Sequence, residues 1–152
     1  MDITALEAMN LSPEMIRAIQ DTGYEAFTPI QEKAIPVLMA GRDVIGQAST
    51  GTGKTAAFGI PAIEKVVDPD DHADPQVLVL CPTRELAMQV SDELRKFSKY
   101  KEGLRVVTVY GGQNIDTQIR ALKKAAVVVG TPGRVIDHLR RRLITVKVTT
   151  KQ

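Results

Sequence analysis

Lys54 and Thr55 end a glycine-rich stretch, GQASTGTGKT, that has the residue types and spacing to bind phosphate. Residues 48–55 match the pattern G-x-x-x-x-G-K-[S/T] at every position except the first, which is Ala48. In such a loop, backbone N–H groups cradle phosphate oxygens, the lysine meets the terminal phosphates, and the threonine hydroxyl reaches Mg²⁺. The stretch therefore predicts a nucleotide-binding loop.

The whole loop is expected to contribute to this site. Gly51 and Gly53 allow backbone torsions and a close approach that a Cβ atom would obstruct. Alanine is the smallest change from glycine, so we expect Ala48 to be tolerated at a negative φ. The candidate phosphate-binding residues are Ala48, Ser49, Thr50, Gly51, Thr52, Gly53, Lys54 and Thr55.

A glutamine upstream of the loop, Gln31 in GYEAFTPIQ, is a candidate for recognising the base. Its amide can pair with adenine through two hydrogen bonds, accepting from N6 and donating to N7. Thr28 and Gln31 also have the spacing of a capping box, in which Gln31 would only bond the Thr28 backbone. Both interpretations stay open on the residues alone. A guanine-specific Asn-Lys-x-Asp does not occur.

Three further segments stand where apolar strands are predicted to end. PTRELA follows VLVLC, GG follows VVTVY, and TPGR follows VVVG. In open α/β sheets, ligands gather beyond the carboxyl ends of the strands. Helix starts that carry Arg84 and Arg134 suit a phosphodiester backbone. Each segment alone could be an ordinary strand-to-helix turn, but their order behind a phosphate loop favours a binding role.

Helices and strands alternate along the chain as a parallel sheet requires. Ser12-Pro13 and Thr28-Pro29 predict the starts of two helices. A short strand, DVIGQA, leads into the glycine loop, and Val-rich strands then alternate with amphipathic helices. We therefore predict an α/β fold, a parallel β-sheet with helices on both faces. The last ten residues, LITVKVTTKQ, are compatible with one more strand.

Composition and charge bound the class of protein. The single cysteine, Cys81, cannot form an internal disulfide, and no run approaches the ~20 apolar residues of a membrane span. We expect a soluble protein of a reducing compartment, the cytoplasm.

Residues 1–75 carry 5 basic and 12 acidic side chains, whereas residues 76–152 carry 15 basic and 6 acidic side chains. Such a basic half suits a polyanion, or is a solvated surface. His72 and His138 have no partners at metal-ligand spacing, so we expect no zinc site.

The order of these segments resembles the DEAD-box family of ATP-dependent RNA helicases, specifically its first RecA-like domain. GYEAFTPIQ is similar to the family's adenine-reading Q motif, ASTGTGKT to its motif I, PTRELA to motif Ia, GG to the glycine pair, and TPGR to motif Ib. The resemblance covers roughly residues 6–142. It implies that residues 1–152 form an incomplete RecA-like P-loop domain that binds ATP, with Q-motif helices within 1–41 and without the second RecA-like domain.

The resemblance also implies roles for individual residues. Gln31 would read adenine with Tyr24 packed nearby, Lys54 and Thr55 would serve the phosphates of ATP, and Thr55 would bind Mg²⁺. Closure of two RecA-like domains on RNA would then unwind a duplex locally. The RNA backbone would be contacted, with low sequence specificity, by Pro82, Thr83, Arg84, Gly111, Gly112, Thr131, Pro132, Gly133 and Arg134.

An acidic residue that such chemistry needs does not occur in these 152 residues. A phosphate-loop ATPase requires a carboxylate after an apolar strand, to hold Mg²⁺ and place the attacking water. No acidic residue beyond the loop directly follows an apolar strand, and neither D-E-A-D nor S-A-T occurs. We therefore expect a truncated helicase core that binds ATP or ADP and RNA without turnover. A small nucleotide kinase would fit the loop, but not GYEAFTPIQ, PTRELA or TPGR.

Overall fold

The computed structural model describes residues 3–44, 53–69 and 74–140. Their elements fall into two compact units, Met1–Val67 with Asp92–Gly103 (the helical unit) and Asp68–Ser91 with Leu104–Gln152 (the sheet unit). The helices are α1 (Ile3–Glu7), α2 (Pro13–Asp21), α3 (Pro29–Met39), α4 (Lys54–Glu64), α5 (Arg84–Phe97), α6 (Ile115–Leu122) and α7 (Pro132–Arg140). The strands are β1 (Val77–Leu80), β2 (Val106–Val109) and β3 (Val127–Gly130).

The N-terminus of α2 is fixed by capping within the helical unit. Ser12 Oγ accepts a hydrogen bond from the Met15 N–H at 3.1 Å, which confirms the start predicted from Ser12-Pro13. The Glu64 carboxylate, at the end of α4, accepts from the Ser12 N–H and from Ser12 Oγ, each at 2.8 Å. One carboxylate therefore ties two helix ends that are 52 positions apart.

Helices α3 and α4 pack against each other in the helical unit. Each continues through an internal proline, Pro36 in α3 and Pro61 in α4. Apolar burial supplies the main stabilisation, since aliphatic and aromatic side chains leave water here. The fully buried large side chains of this unit are Leu6, Met15, Ile19, Ile35, Ile60, Ile63, Leu94 and Phe97.

The sheet unit contains a parallel sheet in the order β1–β3–β2. Gly130 at the end of β3 is in register with Leu80 on one side and Val109 on the other, so the three strands end at one level. The central strand β3 is buried at every position, as a Val-rich strand covered on both faces should be. The predicted parallel α/β arrangement is confirmed.

Strand β1, at one edge of the sheet that the described residues form, differs from this pattern. Its side chains alternate in burial, with Leu78 37% and Leu80 58% exposed in the described part of the chain. Of the predicted strand DVIGQA, Asp43 and Val44 have no regular structure, and residues 45–48 lie outside the described residues. The predicted strand within LITVKVTTKQ also lies outside them.

Helices α6 and α7 supply apolar side chains to the core of the sheet unit. Leu122 of α6 and Val135 of α7 belong to one buried cluster with Val109, Ala125 and Val128. This cluster lies beside the carboxyl ends of β2 and β3, and so supports the segments that follow those strands. Over the described ranges, no helix is long and apolar enough to cross a bilayer.

Candidate functional site

Gln31 lies at the start of α3 and is buried, with 2% of its surface exposed. Its Oε1 accepts from the Thr28 N–H at 3.0 Å, and its Nε2 donates to the Gly53 carbonyl at 3.3 Å. The first bond is the cap expected from the spacing. The second brings the GYEAFTPIQ segment against the last glycine of the phosphate loop, which the spacing did not reveal. The amide thus serves both segments at once.

The Thr28 hydroxyl is the other polar group at this position. It points towards the Gln31 backbone N–H, as a capping box requires. The two groups do not reach hydrogen-bond geometry. Thr28 Oγ1 is buried and makes no hydrogen bond to any residue that the structure describes. A buried hydroxyl without a partner costs free energy. This hydroxyl therefore offers a donor and an acceptor to a ligand beside Gln31.

Gly53 precedes α4 in the left-handed conformation, with φ of +83°. A Cβ atom there would overlap Gln31 Nε2 and lie 3.3 Å from Thr28 Oγ1. Position 53 therefore requires glycine for two reasons, the left-handed torsion angle and the close approach of Gln31. The special torsion expected of Gly53 is observed, whereas Gly51 lies outside the described residues.

Lys54 and Thr55 open α4 directly after Gly53, so the N-terminal dipole of the helix is directed to the phosphate loop. Lys54 is exposed and Thr55 is half-buried. The rest of the loop lies outside the described residues: Ala48, Ser49, Thr50, Gly51 and Thr52. The negative φ expected at Ala48 therefore also lies outside them.

Tyr24 is half-buried between a carboxylate and an aromatic ring. Its hydroxyl donates to Glu93 Oε2 at 3.2 Å, and its ring meets Phe97 edge-on at 6.2 Å between centroids. Burial, and then the negative charge of Glu93, raise the pKa of Tyr24 to about 12. The phenol is therefore neutral across the physiological range. Glu93 had no signal in the sequence, because its partner is 69 positions away.

These residues line one open cavity of about 410 Å³ in the helical unit. Its walls are Tyr24, Glu25, Ala26, Thr28, Gln31 and Gly53. The cavity has an aromatic side chain, an amide that is already oriented and an unpartnered hydroxyl, beside the N-terminus of α4. These groups are of the kinds that bind a planar nitrogen heterocycle, and the N-terminus of α4 beside them favours an anion.

The three predicted RNA-binding segments start at one edge of the sheet unit. They follow β1, β2 and β3, whose last residues are in register. The structure thus brings together all three segments, as the parallel-strand argument anticipated. None of the three strands that the structure describes is followed directly by an acidic residue, since Cys81, Tyr110 and Thr131 stand there. Cys81 is buried, and burial raises the pKa of its thiol, in line with a structural role.

At the first segment, Arg84 is exposed and its guanidinium lies over the ring of Tyr110, 4.6 Å from the centroid. This cation–π contact orients a side chain that would otherwise move freely. Thr83 Oγ1 accepts from the Leu86 N–H at 3.2 Å, and so caps α5. Pro82 is exposed. Tyr110 was not singled out from the sequence.

The second segment is the exposed glycine pair after β2, in which Gly112 has a φ of +87°. A residue with a Cβ atom would be strained there, although space around the position is open. In the third segment, α7 begins at Pro132, and the Val135 N–H donates to the Thr131 carbonyl at 3.0 Å. Gly133 is exposed, in the first turn of α7.

Arg134 is held more firmly than Arg84, with only 14% of its side chain exposed. Its Nη1 donates to the Gln113 carbonyl and to Gln118 Oε1, both at 3.2 Å, and its Nε lies 3.7 Å from Asp137 Oδ2. Gln118 also contacts His138, through Oε1 and Nε2 at 3.0 Å. Gln118 carried no signal in the sequence, and His138 proves to be a buried hydrogen-bonding residue.

Comparison with known proteins agrees with this arrangement. Residues 28–150 match the sequence profile of the DEAD/DEAH box helicases. The chain is 55% identical over 140 residues to the DEAD-box ATP-dependent RNA helicase CshA of Geobacillus kaustophilus. It is 54% identical over 131 residues to the ATP-dependent RNA helicase DeaD of Haemophilus influenzae. These matches cover 91% and 85% of the chain, but only 29% and 21% of the two relatives.

Solved structures give the same result. A DEAD box protein from Methanococcus jannaschii matches with a TM-score of 0.82 and 44% identity, over 90% of this chain and 37% of that one. The RNA helicase Prp28 from Chaetomium thermophilum, bound to ADP, matches with a TM-score of 0.83 and 39% identity, over 91% and 35%. With the fold, the phosphate-loop helix and the sequence profile in agreement, the chain belongs to the DEAD/DEAH box helicase family.

Proposed function

We propose that this chain is the ATP- and RNA-binding portion of an ATP-dependent RNA helicase. The observation that carries the proposal is the bond between Gln31 and Gly53, which joins the base-recognition segment to the phosphate loop. The names of the relatives support the activity, but the chain spans less than a third of their length. Duplex unwinding is therefore a property we propose for the whole protein.

The nucleotide would be ATP with Mg²⁺. Gln31 would turn the free lone pair of Oε1 and the second N–H of Nε2 towards the adenine edge, with Tyr24 beside the base. Lys54 would neutralise the terminal phosphates, and Thr55 would hold Mg²⁺. When bound, ATP would supply the free energy for closure of the two RecA-like domains proposed for the whole protein. The other phosphate ligands would be the loop residues Ala48, Ser49, Thr50, Gly51, Thr52 and Gly53.

RNA would bind at the carboxyl edge of the sheet unit through its phosphates. Arg84 and Arg134 supply the positive charge there, and the exposed glycine pair lets a backbone approach closely. Contacts to phosphates carry no base information, so sequence specificity would be low. In the whole protein, a second RecA-like domain would close on the same RNA and unwind it locally. A cytoplasmic site of action accords with this role.

For a polypeptide of residues 1–152 alone, we propose nucleotide binding without turnover. The carboxylate that would place the attacking water is not found after any strand of the described ranges. Phosphate release should therefore be measured with and without RNA, beside a Lys54→Ala control. We expect no RNA-stimulated release. Release that RNA stimulates and that Lys54→Ala abolishes would contradict the proposal. Phosphoryl transfer to a second nucleotide, without a response to RNA, would instead indicate a nucleotide kinase.

A further inference from the structure

Gln118 is buried in the sheet unit, with 2% of its surface exposed. It occupies the apolar face of α6, four positions before the buried Leu122, where the helical pattern calls for an apolar residue. Its Nε2 donates to the Tyr110 carbonyl at 2.9 Å and to Gln113 Oε1 at 2.8 Å. Its Oε1 contacts Arg134 Nη1 at 3.2 Å and His138 Nε2 at 3.0 Å. Each end of the amide therefore meets two polar groups.

The Nε2 side of this amide leads to Arg84. The Tyr110 carbonyl accepts a hydrogen bond from Gln118 Nε2, and the Arg84 guanidinium lies over the Tyr110 ring, 4.6 Å from its centroid. A shift of the Tyr110 backbone would move the ring, and with it the preferred position of Arg84. The bond to Gln113 fixes the far end of the glycine pair in the same way.

The Oε1 side leads to Arg134. Arg134 Nη1 is shared between Gln118 Oε1 and the Gln113 carbonyl, and Asp137 lies against its Nε. Among the residues that the structure describes, Nη1 and Nε carry all the polar contacts of Arg134, so Nη2 is the edge that remains for a ligand. His138, the second group on Oε1, is fully buried and anchors the amide from the other side.

We propose that Gln118 is a positioning residue that fixes the side-chain positions of Arg84 and Arg134 at the proposed RNA-binding edge of the sheet unit. One amide fixes Arg134 directly and Arg84 through Tyr110, so both charges depend on the same side chain for their positions. That the ligand is RNA rests on the proposed function. The fixed positions of the two arginines do not depend on that function and can be tested separately.

Two substitutions separate the two sides of the amide. Gln118→Met removes all four bonds while keeping an unbranched side chain. Gln118→Glu keeps an acceptor for Arg134 and His138 but cannot donate. Its second carboxylate oxygen would face the Tyr110 carbonyl and Gln113 Oε1. The matched controls are Gln89→Met, an exposed glutamine on α5, and Arg120→Ala, an exposed arginine on α6. Thermal melts check that each variant is folded.

Binding of a fluorescein-labelled oligouridine, followed by anisotropy over a series of salt concentrations, gives the first readout. We expect Gln118→Met to weaken binding about tenfold, the effect of losing coupled contacts. Removing each arginine should lower the salt slope by about 0.7, the value for one phosphate contact on a single strand. In an Arg84→Ala/Arg134→Ala background, Gln118→Met should add nothing. In the Gln118→Glu background, Arg134→Ala should keep its full effect and Arg84→Ala should lose most of its own.

The second readout is NMR relaxation of the arginine Nε–Hε groups without RNA. We expect both Arg84 and Arg134 to become more mobile in Gln118→Met, and only Arg84 in Gln118→Glu. Unchanged mobility in folded variants, or an equal effect of Gln118→Met with and without the arginines, would overturn the positioning role. If Gln118→Met does not fold, Gln118→Glu alone decides by the same criteria. Failure of the wild-type chain to bind RNA would overturn the proposed RNA function, whereas the NMR result would still decide the positioning.

Discussion

Gln31 Nε2 donates a hydrogen bond to the Gly53 carbonyl at 3.3 Å, and so links the first turns of two helices across 22 positions. The same amide caps α3 through the Thr28 N–H. The two interpretations of Gln31 that the sequence left open are therefore not exclusive in geometry. The cap is a feature of the fold, and adenine recognition is the proposal that the next experiment separates from it.

Gln31→Glu should divide these two uses. A glutamate oxygen still accepts from the Thr28 N–H, but it cannot donate to Gly53 or to adenine N7. We expect the cap to be kept but thermal stability to fall, because a buried carboxylate oxygen then faces the Gly53 carbonyl. ATP binding should lose about 1–3 kcal/mol of free energy, the value of a bidentate base contact. Calorimetric titration and thermal melts measure the two quantities.

Gln31→Ala is the matched variant, because it also removes the cap. It should lose nucleotide affinity and, in addition, about 1 kcal/mol of unfolding free energy. If Gln31→Glu retains full ATP affinity, or if both variants lose only stability, Gln31 is a capping residue and the adenine role is wrong.

Glu64→Ala should destabilise the helical unit. Its carboxylate accepts two hydrogen bonds from Ser12, and these join the ends of α2 and α4. Loss of bonds to a charged acceptor should cost about 2–3 kcal/mol in urea unfolding. Glu7→Ala, at an exposed glutamate of α1, should change the unfolding free energy by less than about 0.5 kcal/mol. Equal effects of the two substitutions would refute the linking role of Glu64.

Tyr24 should titrate at an unusually high pH. Burial and Glu93 raise its pKa to about 12, above the ordinary value of 10.0, because both disfavour the phenolate. The folded state therefore holds this proton after the unfolded chain releases it. The contribution of Tyr24 to stability is complete below pH 10.0, and is lost as the pH rises towards about 12.

The phenolate absorbance of the wild type minus that of Tyr24→Phe isolates this group, and circular dichroism shows the range in which the chain stays folded. The chain has no tryptophan, and three tyrosines in all. We expect the difference spectrum to have a midpoint near pH 12. A midpoint near 10.0 in the folded chain would show that Tyr24 is not buried against Glu93.

The features that local patterns control were predictable. Ser12-Pro13 and Thr28-Pro29 marked real helix starts, and the Val-rich runs formed the three parallel strands. The phosphate-loop spacing placed Lys54 and Thr55 on the first turn of α4. Each of these signals lies within a few residues, where torsion preferences, capping and side-chain period decide the structure.

The polar contacts between distant segments were not predictable. Glu93 meets Tyr24 from 69 positions away, and the four partners of Gln118 come from two segments, the loop after β2 and helix α7. A glutamine on an apolar helical face is only an interruption of the pattern until the fold supplies its partners. Strand β1 is a further example, since its Val-Leu run is typical of full burial, yet Leu80 is exposed.

Calorimetric titration of the 152-residue chain with MgATP and MgGTP tests the central claim most directly. We expect MgATP to bind at least about fivefold more tightly than MgGTP, since Gln31 matches only adenine. Lys54→Ala should abolish binding without loss of helical signal, because Lys54 is exposed. Equal affinity for the two nucleotides, or unchanged binding by Lys54→Ala, would contradict the account.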